Sequence, residues 1–135
     1  VVPGAGQRLY ALPPAQALPA DLRQRWERAE EALYDNPDDP MVNWASEALE
    51  QALIAAGLGG VEVVTRTEQS DLLVTASQVE RWFTPPQQGG SRYHAHLQAH
   101  LTAPEIAEIE GVLRRQVAGQ VVPWKRTIAL VYGNV

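Results

Sequence analysis

His94, His96 and His100 are the residues of this chain whose types and spacing come nearest to chemistry. His96 and His100 stand four apart, so on a helix they share a face and offer two imidazole nitrogens to a zinc ion. A zinc site also needs a third ligand and groups that orient the rings, and no HExxH motif or cysteine cluster supplies them. The spacing is therefore read as a polar helix face, with a pH-sensitive interface as its alternative use. Trp124, Lys125 and Arg126 form the second constellation, an indole beside two cations that could meet an anionic group. Trp124, Arg126, His96 and His100 are accordingly the candidate ligand or interface residues.

The other reactive side chains read as structural. The adjacent pairs Glu30–Glu31 and Asp38–Asp39 do not converge merely by being neighbours in sequence. Glu105 and Glu108 fall in the first turns of a helix, where negative charge is favoured by the helix dipole. Ser77 and Ser91 lie outside any GxSxG elbow and suit helix starts. Residues 35–40 carry three aspartates without the ordered spacing of a calcium loop. Gly4 and Gly6 form a GxG, but neither a preceding strand nor a following helix makes it a phosphate loop. No catalytic, cofactor-binding or metal-binding residue is assigned.

A chain of 135 residues with 45% hydrophobic residues and four Trp is expected to fold as a single domain or domain fragment. The net charge of −5, with eleven scattered Lys and Arg, argues against a nucleic-acid surface. Absence of cysteine excludes disulfides and thiolate chemistry and is compatible with a cytoplasmic location, which is the expected one. No run approaches the roughly 20 apolar residues of a membrane span. The N-terminus lacks the order of a secretion signal, and because the first residue is Val1 rather than a methionine, the chain is expected to be processed or cut from a longer protein.

The elements are organised around residues 43–68. Trp44, Ala48, Leu49, Ala52, Leu53 and Ala56 recur at helical spacing and predict an apolar helix face. Gly57 supplies a left-handed stop, Gly59–Gly60 a turn, and from Val61 the period drops to two. Val61, Val63, Thr65 and Thr67 take one side of that strand, and Glu62, Val64, Arg66 and Glu68 the other. Ser70 and Asp71 break the pattern before Leu72, Leu73 and Val74. Upstream, residues 21–34 predict a helix with Leu22, Trp26, Ala29 and Leu33 inward and Glu30 and Glu31 among the outward charges. Residues 1–19 predict a strand end and a turn of helix. Thr75–Gln78 and Thr102–Glu105 are capping boxes, and Ser91 is expected to cap a third helix carrying Tyr93, Leu97 and Leu101. Ile106, Ile109, Leu113 and Val117 line the helix that Gly119 closes. Residues 120–132 form the last strand, with Val122, Trp124, Ile128, Leu130 and Tyr132 on one face and Pro123 at its entry or edge. The four Trp are read as core anchors. The expected fold is a partial α/β architecture: about five helices around a small sheet.

Taken in order, VVPGAGQRLYAL, a helix, NWASEALEQALIAAGLGGVEV, helices with the RWF run and VVPWKRTIALVYGNV resemble the C-terminal half of a class I S-adenosylmethionine-dependent methyltransferase domain. The resemblance implies that Ala55-Ala56-Gly57-Leu58 leads into the sixth strand at Val61. Residues 128–132 would then be the antiparallel seventh strand, with residues 75–119 a helical insertion on the substrate side. More weakly, the chain is similar to the methyltransferase-like appendage of a replication-associated recombination AAA+ ATPase in cyanobacteria. The family's GxGxG loop and acidic residue would lie upstream of Val1, so no cofactor is expected in this chain, and S-adenosylmethionine would belong to a full-length parent. Three readings stay open: a substrate-side methyltransferase-like fragment inactive alone, a non-catalytic interaction or assembly module, and a self-contained small α/β domain. A few strands without the rest of their sheet should associate, as a homodimer or with the missing N-terminal part.

Overall fold

In the computed structural model, which describes residues 1–135, the chain forms five α-helices, four single 3-10 turns and two long strands. The helices are α1 (Ala20–Tyr34), α2 (Ser46–Ala55), α3 (Ala76–Trp82), α4 (Arg92–Gln98) and α5 (Ala103–Gln116). The strands β1 (Gly59–Leu73) and β2 (Val121–Asn134) pair as a two-stranded antiparallel sheet, so the expected partial α/β class is the observed one. The chain divides into two compact units. A strand unit comprises Val1–Gln7, Tyr34–Ser70 and Trp124–Val135; a helical unit comprises Arg8–Leu33 and Asp71–Pro123.

The helical unit holds nearly all of the core. α1 buries Leu22, Trp26, Ala29 and Glu30 along one stripe. Val79, Phe83, Tyr93, Leu97, Leu101, Ile106, Ile109, Val112, Leu113 and Val117 are buried with them, where α3, α4 and α5 touch one another. Both predicted capping boxes form: Thr75 with Gln78 and Thr102 with Glu105 each cover an otherwise orphaned backbone N–H at either end of the motif. Those hydrogen bonds from Thr102 hold the Glu105 carboxyl below the usual range, and Arg25 lies against its free oxygen. Ser91 stands at the N-cap of α4 but does not cap it; its hydroxyl donates to the Trp82 carbonyl at 3.1 Å, tying the α3–α4 connection instead.

The fold departs from the sequence pattern at two further places. The strand does not break at Ser70 and Asp71, because β1 runs unbroken to Leu73. A polar pair need not end a strand when its backbone has a partner strand and its side chains reach water. Of the four Trp only Trp26 is fully buried; Trp44, Trp82 and Trp124 are half-buried, since an indole fills more volume than a small unit can enclose.

The strand unit has almost no interior. Val2 and Thr127 are its only buried residues. α2 carries the predicted stripe through Ala48, Leu49, Ala52 and Leu53 and stops at Gly57, whose φ of 91° suits a residue without a Cβ. It begins at Ser46, so Trp44 lies outside it, and Gly59 and Gly60 belong to β1 rather than to a turn. Yet no residue of α2 is buried, so its apolar stripe is left half-covered. Periodicity sets which side a helix can bury, whereas the mass available to cover it is a tertiary matter.

Candidate functional site

The strand unit's ribbon has two unlike edges, and its geometry follows from register. Thr67 and Thr127 face each other, their hydroxyls 3.0 Å apart, and Thr127 also donates to the Ala5 carbonyl at 3.2 Å. A hydroxyl has one proton, so Thr67 is the donor to Thr127. One step along, the Arg126 guanidinium donates twice to one Glu68 oxygen, at 2.9 and 3.1 Å. With Thr67 opposite Thr127, Val64 falls opposite Leu130 and Glu62 opposite Tyr132.

Backbone direction is fixed by the same residues. The Thr127 carbonyl accepts the Val2 N–H at 2.8 Å, and the Lys125 N–H donates to the Gln7 side chain at 3.0 Å. Odd-numbered residues of β2 therefore point away from β1, and antiparallel pairing then turns the N–H and C=O of Val61, Val63, Thr65 and Thr67 to the outer edge of β1. No backbone hydrogen bond from the rest of the chain reaches that edge between residues 61 and 69. The two edges thus differ. The outer edge of β2 carries Pro123, Lys125 and the N-terminal segment, all devices that block strand pairing. β1 has no proline and no lysine along its length. One face of the ribbon adds exposed apolar surface, with Val64 at 42%, Leu130 at 38% and Tyr132 at 56% exposure.

In the strand unit, Trp124 is half-buried, and the charge of Arg126 is already met by Glu68. In the helical unit, a ring nitrogen of His96 bonds the Ala29 carbonyl, and the His96 and His100 rings lie 4.9 Å apart between centroids. His100 follows the end of α4 in a turn, so the two do not share one helix as their spacing predicts. The half-buried His94 encloses an Nδ1 without a hydrogen-bond partner. No group of three or more His, Asp or Glu side chains is placed to hold a metal ion. The grooves of the helical unit are open, a polar one lined by Ser77, Glu80, Arg81, Thr84, Gln88 and Gly89 and a mixed one along α1 near Ala20, Asp21 and Glu27.

Glu30 is the residue that sequence reasoning misplaced, among the outward charges of α1. It is 1% exposed, and its carboxylate accepts the N–H groups of Leu9 at 3.1 Å and Tyr10 at 3.3 Å. Trp26 Nε1 donates to the Tyr93 hydroxyl at 2.7 Å, and Tyr93 passes its proton on in a hydrogen bond to Glu30. Burial pushes the Glu30 carboxyl above its ordinary range, although those hydrogen bonds oppose the shift. The available signal was its place four residues after Trp26 and eight after Leu22, inside the apolar stripe. Beside it, Arg8 bonds Glu31 at 2.8 Å and draws that carboxyl down, while desolvation and Glu31 push Tyr10 up to about 12. These groups pin the turn at Leu9–Ala11 onto α1 and form a structural network.

Comparison with known proteins gives no relative: no family model, no curated protein and no solved structure matches the chain. No helix is long and apolar enough to cross a membrane.

Proposed function

We propose that the chain is a non-catalytic interaction module whose strand unit is completed by another polypeptide, acting in the cytoplasm. The carrying observation is the near-absence of a core in that unit, where Val2 and Thr127 alone are buried. A two-stranded ribbon is marginally stable in water, and a third strand or a covering helix is what normally stabilises one. The helical unit, with its own buried core, would then be stable without that partner. In dilute chain the amides of the strand unit should exchange with solvent far faster than those of α5. Equal protection in both units would sink the reading, because the ribbon would then need no partner.

The second reading is the substrate-side fragment of a methyltransferase-like domain, inactive alone. Antiparallel pairing of β1 with β2, with helices between them, supports it, since the resemblance expects the sixth and seventh strands to close a sheet that way. Calorimetric titration with S-adenosylmethionine separates the two: the module gives no heat of binding, and clear micromolar binding would overturn it.

A further inference from the structure

We propose that β1 pairs with β1 of a second copy, antiparallel, about a two-fold axis through Val64. The proposal rests on the interaction-module reading and names its partner. An open edge with five outward-facing odd-numbered residues, 61 to 69, is a template for strand addition. A two-fold interface must be self-complementary, so the sequence of β1 selects its own register. With the axis at Val64, Glu62 lies opposite Arg66 of the copy, and the symmetry repeats that ion pair. Val61 meets Thr67, Val63 meets Thr65, and Val64 meets Val64, all favourable cross-strand pairs.

Neighbouring registers fail on charge. An axis at Thr65 sets Glu62 against Glu68, one at Arg66 sets the two guanidinium groups against each other, and one at Glu68 does the same to the carboxylates. An axis at Thr67 pairs Arg66 with Glu68 of the copy, but Glu68 is already held by Arg126 at 2.9 Å, with Arg66 of its own strand a looser 3.7 Å away, and Val63 would face Asp71. An axis at Val63 leaves both Glu62 and Arg66 without an opposite charge. The backbone agrees with the choice at Val64: Val63 and Thr65 point their N–H and C=O outward and would exchange hydrogen bonds across the axis. Val64 then forms a non-hydrogen-bonded pair with itself, the closer kind. The product is one four-stranded sheet in the order β2, β1, β1, β2, with the exposed Val64 and Leu130 of both copies on one continuous face.

The chain contains no cysteine, so a single introduced thiol reports directly on the axis. A non-hydrogen-bonded antiparallel pair places its Cα atoms about 4.5 Å apart, within the span a disulfide accepts. Val64→Cys should form a covalent dimer under mild oxidation, Leu130→Cys should form little, and Glu62→Cys should need Arg66→Cys beside it. Light scattering should give the mass of a dimer, Arg66→Glu should shift it to monomer, and Glu62→Arg with Arg66→Glu should restore the dimer. A monomeric wild-type chain, or a dimer that Val64→Cys does not trap and Arg66→Glu does not weaken, would overturn the proposal. If in either case the strand-unit amides still exchange quickly in dilute chain, the module reading stands without this partner. Slow exchange in that unit would remove both.

Discussion

Glu30 shows how one side chain can be both a cost and an organiser. Three donors, the Leu9 and Tyr10 amides and the Tyr93 hydroxyl, converge on a carboxylate that water cannot reach. Truncation by Glu30→Ala would leave those donors unpaired, and unsatisfied buried groups cost about 1–3 kcal/mol each. The pH dependence has a definite sign. Because its pKa is raised in the fold, Glu30 contributes stability fully present below the ordinary carboxylate range, which is lost as pH rises through the raised value. Glu31 and Glu105, whose pKa values are lowered, act in the opposite sense. Subtracting the unfolding curve of Glu30→Gln isolates the Glu30 contribution: wild type should gain on the variant as pH falls. A flat difference between the two, measured in urea across mild acid, would count against this account.

Among the elements, the caps and connections of the helical unit make contrasting demands. Thr102→Ala should cost about 1 kcal/mol, the usual value of a lost N-cap. Gly90→Ala should be worse, although it lies in a surface connection. A Cβ built there would stand 1.8 Å from the Thr84 carbonyl oxygen, and backbone cannot swing aside as a flexible side chain does. Moving it would also strain the Ser91 N–H to Thr84 carbonyl bond of 3.1 Å. Overpacking of that kind costs about 1–3 kcal/mol and at times more. Thermal unfolding of the two variants ranks them, and an innocuous Gly90→Ala would show that the connection is looser than its contacts imply.

For the molecule as a whole, the unequal distribution of burial is the governing fact. Trp26, Leu97, Ile109 and Leu113, all in the helical unit, are 0% exposed, whereas Ile54, Val64, Leu130 and Tyr132 of the strand unit face solvent. Unfolding is therefore expected in two steps. Protection of the strand unit should disappear at lower denaturant than that of α5, and it should rise with chain concentration if copies pair through β1. A single cooperative transition at every concentration would contradict this distribution of stability.

Local signals were enough to write the helices and both strands, but not residues 1–19, where 3-10 turns stand in place of the expected strand end, nor the unbroken run through Ser70 and Asp71. Hydrophobic period, the Thr75 and Thr102 boxes and the glycine at 57 are encoded within a few residues, and the fold reproduces them. The two strands were legible for the same reason, since alternation survives along most of both; their antiparallel pairing was expected only from the family resemblance, because alternation is the same in either direction. Burial was not legible in this way. The stripe of α2 and the charge of Glu30 were both misjudged, because a residue's exposure depends on what the distant chain brings against it. Which edge of the ribbon stays open was likewise a tertiary outcome: Val2 and Gln7 come to lie along β2 from more than a hundred residues away, and nothing in the pattern of β1 alone announces that its own edge is left bare.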